Sequence, residues 1–65
     1  HYTDGGIETI DFIRAKLSSK AFEGYCIGNI FKYLSRYGKK NTNGVEDLRK
    51  AEVYLKWAIK EAEDK

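Results

Sequence analysis

Apolar and polar positions follow a helical period through most of the chain. Ile7, Ile10, Ile13 and Leu17 fall three or four residues apart, with Phe12 on the flank, which is the spacing of one helix face. In FEGYCIGNIFKYLSRYGKK, residues 22–40, a second face is made by Phe22, Tyr25, Cys26, Ile30, Tyr33, Leu34 and Tyr37. Ile27 and Phe31 fall off that face and need burial of their own. Leu48, Ala51, Leu55, Ala58 and Ala62, with Val45 ahead of them, make a third. The pattern predicts one domain over 1–65, with helices at 7–17, 19–37 and 44–63. Residues 1–6, HYTDGG, read as an ordered N-terminal arm ending in a Gly-Gly break. The expected fold class is all-α, a small three-helix bundle.

Capping chemistry supports these limits. Ser18 and Ser19 can satisfy the first free N–H groups of the second helix, and Gly38 suits the position after its end. Asn43 with Glu46 three residues on resembles a capping box. Glu46–Lys50, Glu52–Lys56 and Glu61–Lys65 are i, i+4 pairs in the favourable order, each worth ~0.2–0.5 kcal/mol.

Size adds a demand that the pattern does not meet. A chain of 65 residues buries only ~60% of the surface its unfolded form exposes, and such domains need a disulfide, a metal or a partner. One cysteine and one histidine leave no internal disulfide and no zinc spacing. A homo-oligomer is the remaining expectation, and the two-sided second helix agrees with it. No apolar run approaches the ~20 residues of a membrane span and no signal peptide is visible, so the expected setting is the cytoplasm, without a membrane partner. The start at His1 reads as the core of something longer.

A net charge of +2 neither demands nor excludes nucleic acid. The distribution is more telling. Lys32, Arg36, Lys39 and Lys40 form a basic stripe, with Arg49 and Lys50 across the loop. Arginine offers phosphate a two-pronged fork and lysine a mobile point charge. The same cations would also complement a helix C-terminus. Tyr33 and Tyr37 stand among them as base-stacking candidates, Asn29 as a reader of base or sugar, and His1 as a further phosphate donor. Asn29 could equally set the register of an oligomer. Gly24 and Gly28 each cost ~1 kcal/mol in a helix interior and mark a close contact. Glu8, Asp11 and Asp47 are candidate Mg²⁺ ligands, since that ion takes oxygen donors and bridges to phosphates; acids also belong in first helical turns. Cys26 reads as an inert core thiol, and Tyr54 and Trp57 as packing or interface residues.

The combination His1-Tyr2, Gly6-Ile7-Glu8, Ile10-Asp11, the 22–40 stretch, Glu46-Asp47-Leu48, Lys50-Ala51 and Tyr54-Leu55 resembles a specific family. It is similar to the small bacteriophage domain known as SaV-like, which also occurs within the nucleotide kinase of short-tailed coliphages. The most specific run is G-N-x-x-K-Y-x-x-R-Y at Gly28, Asn29, Lys32, Tyr33, Arg36 and Tyr37. The resemblance implies a phage protein of nucleotide metabolism or host interference, oligomeric and acting in the host bacterial cytoplasm.

Three functions follow as expectations. The first is binding of a nucleotide, cyclic nucleotide or similar phosphate ligand at a subunit interface, with no cofactor required. The second is a Mg²⁺-dependent phosphotransferase similar to a nucleoside monophosphate kinase, although so short a chain can scarcely enclose donor and acceptor while excluding water. The third is a module that binds nucleic acid or a host protein through the basic stripe.

Overall fold

A computed structural model describes residues 3–4, 7–39 and 43–64, with side chains described from residue 8 onward. The fold is all-helical, with three helices. Thr3–Asp4 (β1) and Ile7–Glu8 (β2) form a two-residue antiparallel ladder, pairing Thr3 with Glu8 and Asp4 with Ile7. Helix α1 spans Thr9–Lys16, α2 Ser19–Arg36 and α3 Gly44–Glu63. Ile7 therefore lies in extended chain rather than in the first helix, because its backbone groups are spent on pairing with Asp4. Of the arm expected over 1–6, only Thr3 and Asp4 fall within the described residues.

The helix ends are closed locally. The Ser18 hydroxyl accepts from Ala21 N–H at 3.1 Å, and Asn43 Oδ1 accepts from Glu46 N–H at 3.1 Å. Past the end of α2, Gly38 takes φ +84, a left-handed conformation that costs glycine nothing, and Lys39 N–H then reaches the Arg36 carbonyl at 3.0 Å.

Helices α2 and α3 run antiparallel. Arg36 near the end of α2 meets Asp47 near the start of α3, while Tyr25 near the start of α2 meets Tyr54 further along α3. The core between them is small: Phe22 and Cys26 are fully buried, with Ala51 and Asp47 nearly so. No residue of helix α1 is fully buried, although Ile10, Ile13 and Arg14 are partly so. Arg14 pins it down, lying 5.4 Å from the Phe22 ring centre and 3.9 Å from Glu61 Oε1.

The result is a slab of 36 × 28 × 14 Å, about one helix thick. Its radius of gyration, 13.0 Å, exceeds the ~10.7 Å of a compact domain of this length.

Candidate functional site: cations around Tyr33

The antiparallel register brings cations from two helices onto one tyrosine. Lys32 Nζ lies 4.7 Å from the Tyr33 ring centre, Lys50 Nζ 5.5 Å and the Arg36 guanidinium carbon 5.6 Å. All three are within the ~6 Å at which a ring quadrupole attracts a cation. Lys32 and Arg36 reach the ring because they sit at i−1 and i+3 on the same helix. Lys50 reaches it from α3 only because of the helix pairing.

Acids partly compensate the cluster. Arg36 Nε is 3.7 Å from Asp47 Oδ1, and Lys50 Nζ is 3.9 Å from Glu46 Oε2. Lys32 has no acidic partner among the described residues. Three cations against two carboxylates leave one positive charge. Asp47 is 3% exposed, and its Oδ2 has no hydrogen-bond partner among the described residues.

Behind Tyr33 runs a row of aromatics. Tyr54 stacks on it at 6.0 Å and 21°, then meets Tyr25 edge-on at 5.9 Å and Trp57 edge-on at 5.2 Å. Burial, joined by a hydrogen bond to the Tyr25 hydroxyl, pushes the Tyr54 phenol up to about 12. It is a neutral hydroxyl at every physiological pH. Asn29 donates from Nδ2 to the Tyr25 carbonyl at 2.9 Å, so part of its amide is already spent within its own helix. Burial, with the Glu61 carboxylate next in effect, raises the Cys26 thiol, which suits a buried, unreactive residue.

Other expected site residues lie elsewhere. Tyr37 is 53% exposed and rests against the start of α3, where a Cβ on Gly44 would come within 3.2 Å of Tyr37 Cε1. It is not stacked in the tyrosine row. Lys39 is exposed beside Gly38. His1 and Lys40 lie outside the described residues. Glu8 and Asp11 are exposed on β2 and α1 while Asp47 is buried on α3, and no three His, Cys, Asp or Glu side chains gather into a metal-holding group among the described residues. Asp47 instead faces Arg36.

Sequence reasoning set Tyr54 apart as packing and left Lys50 on the margin. Their signal was spacing within α3: positions 50 and 54 are one turn apart and so share a side. An open groove of about 410 Å³ runs along α3 between Asn43, Val45, Glu46, Arg49, Lys50 and Val53. It adjoins the cluster at Lys50. Its volume falls within the range of small-molecule sites.

Residues 1–56 match the family described as "Protein of unknown function (DUF3310)". The chain belongs to that family. This DUF3310 chain is 44% identical over 50 residues to the gene 1.7 protein of Enterobacteria phage T3, a match covering 74% of this chain and 31% of the relative. It is also 44% identical over 50 residues to the nucleotide kinase gp1.7 of Escherichia phage T7, covering 74% of this chain and 26% of that protein. The chain thus spans under a third of the length of these curated relatives. No solved structure matches it. The kinship read from Gly28, Asn29, Lys32, Tyr33, Arg36 and Tyr37 is shown by these matches. No helix among the described residues is long and apolar enough to cross a membrane.

Proposed function

We propose that this chain holds the phosphate end of a nucleotide against the cations around Tyr33. The observation that carries the reading is the convergence of Lys32, Arg36 and Lys50, from two helices, on one ring. Like charges crowded this way repel, and a phosphate relieves them with charge-assisted hydrogen bonds. Lys32 supplies the uncompensated charge, and Arg36 the fork once phosphate competes with Asp47 for it. Lys39, Lys40 and His1 are the further phosphate donors this reading expects, with Lys40 and His1 outside the described residues. Asn29, Tyr33 and Tyr37 are the residues expected to meet base and sugar; the Tyr33 ring already carries Tyr54 and the cations, so a base reaches it only by displacing one of them. No cofactor is required, and any Mg²⁺ arrives on the nucleotide's own phosphates, as that ion commonly does. The setting is the cytoplasm of the phage's host.

A second reading is favoured by one observation, the name of the phage T7 relative, a nucleotide kinase. In that reading the chain is the nucleotide-holding part of a phosphotransferase, and turnover needs groups beyond these 65 residues or from another chain. Nucleic-acid binding through the basic stripe is the weaker third reading, since one net charge at the cluster makes a poor footprint for a phosphate backbone.

The test is thermal unfolding against nucleoside mono-, di- and triphosphates and cyclic dinucleotides, with and without Mg²⁺. A ligand at ~100 times its Kd adds about 2.7 kcal/mol, several degrees for so small a domain. Lys32→Ala and Arg36→Ala should each cut the shift by about half or more, as a Kd weakened ~10-fold does. A shift that neither substitution diminishes overturns the reading. Phosphoryl transfer that stops with EDTA would establish the second.

A further inference from the structure

The two broad sides of the slab differ. A helix turns about 100° per residue, so Ile27, Ile30 and Leu34 stand roughly 140–200° away from Lys32 on α2. On α3, Leu48, Leu55 and Ile59 stand equally far from Lys50. Lys32 and Lys50 reach the same Tyr33 ring, which means that α2 and α3 turn those sides the same way. The six aliphatic residues therefore emerge together on the opposite side. Five of them, Ile27, Leu34, Leu48, Leu55 and Ile59, are between 41% and 49% exposed. Three acids share that side: Glu52 pairs with Arg49 at 4.0 Å, Glu23 has a partner of its own, and Glu63 lies at its edge in the last turn of α3.

The exposed area sets the size of what is missing. The chain exposes 4984 Å², whereas a monomer of 7.5 kDa should expose about 4,250 Å². The excess of roughly 700 Å² is close to the ~800 Å² that each partner hides in a standard interface. Domains are also built from two packed layers, and this one has a single layer.

We propose that the aliphatic side is covered by the same side of a second copy of this chain, face to face about a two-fold axis. Two such slabs make a two-layer helical sandwich with an apolar interior. A two-fold contact is self-complementary and closes, so the unit is a dimer rather than a fibre. The inference is independent of the nucleotide reading. It has a consequence for the site, however. The cations and tyrosines stay on the outer sides of the sandwich, so each chain carries its own open site and ligand does not bridge this interface.

The test is sedimentation of the 65-residue chain over a concentration series, with Leu34→Glu, Leu55→Glu and the opposite-side control Lys32→Glu. The parent and Lys32→Glu should sediment at twice the chain mass, and each aliphatic-side variant should dissociate on the order of 100-fold more readily, since it buries unpaired charge. A monomeric parent at ~100 μM, far above the Kd expected of a standard interface, overturns the proposal. So does a folded Leu34→Glu or Leu55→Glu variant that stays associated. Should these variants unfold, Ile59→Cys decides, with the buried Cys26 as a silent background. Its thiol should be protected at high concentration and react faster on dilution. Reactivity independent of concentration overturns the proposal.

Discussion

The Tyr33 side and the aliphatic side of this small slab are built from the same two helices and differ in how far they satisfy themselves. On the Tyr33 side, every prominent group has company within the chain: the cations lie over a ring, two of them also face carboxylates, and the tyrosines stack in a row. On the other side, Leu34, Leu48, Leu55 and Ile59 are nearly half exposed. A surface of charges and aromatics can be stable in water and still be poised for an anion. A surface of aliphatics has no such alternative, because only burial removes its cost. The comparison separates a side that selects a ligand from a side that needs a cover.

The largest effect should come from the residue that joins the two sides. Phe22 is fully buried, and Phe22→Ala should cost ~3–5 kcal/mol, enough to unfold a domain this small and abolish both ligand binding and association. Urea unfolding would read it; a loss under 1 kcal/mol would mean that α2 and α3 are held together by something else. Next, Lys32→Ala should weaken phosphate binding at least ~10-fold, about 1.4 kcal/mol, and leave sedimentation unchanged, while a folded Leu34→Glu should do the reverse. Calorimetry on the double variant should give additive losses, as for independent sites. Strong coupling would show that the two sides are one functional surface.

Smaller effects sharpen the picture. Asn43→Ala removes the cap on the Glu46 N–H and should cost ~1 kcal/mol, read as a lower melting temperature. Gly28→Ala should raise stability by ~0.5–1 kcal/mol, because nothing lies within 4 Å of the added Cβ. A drop there would reveal a contact at the outer edge of α2. The smallest effect concerns Tyr54. Its folded pKa is raised above the unfolded value, so its contribution to stability is intact below about pH 10 and is lost as pH rises from 10 toward 12. Tyr54→Phe should flatten the alkaline fall in melting temperature, and an unchanged profile would place that titration elsewhere.

Some of this was legible in the chain and some was not. Hydroxyl and amide caps at Ser18 and Asn43 act within three residues, so local chemistry was sufficient to read them. The excess of Ile27 and Phe31 over one face was legible too, and both are indeed exposed, at 44% and 66%. The start of α1 was not legible, since Ile7 has the right period for a helix and only pairing with Asp4 draws it into extended chain. Asp47 misled for a related reason. Its type and place read as a Mg²⁺ ligand with Glu8 and Asp11, or as an acid complementing a first helical turn, and neither reading shows that it is buried against Arg36.

The sequence by itself determined the three helices, the caps at Ser18 and Asn43, the surplus of apolar surface and the family, because each rests on residue type and short-range spacing. Which cations share a ring, which acid is buried, and which aliphatics stand together on one side were decided only by the pairing of α2 with α3. That pairing sets the axial and rotational register of two helices separated by a loop. No period within either helix specifies such a register, so Lys50 meets Tyr33 only once the helices are packed.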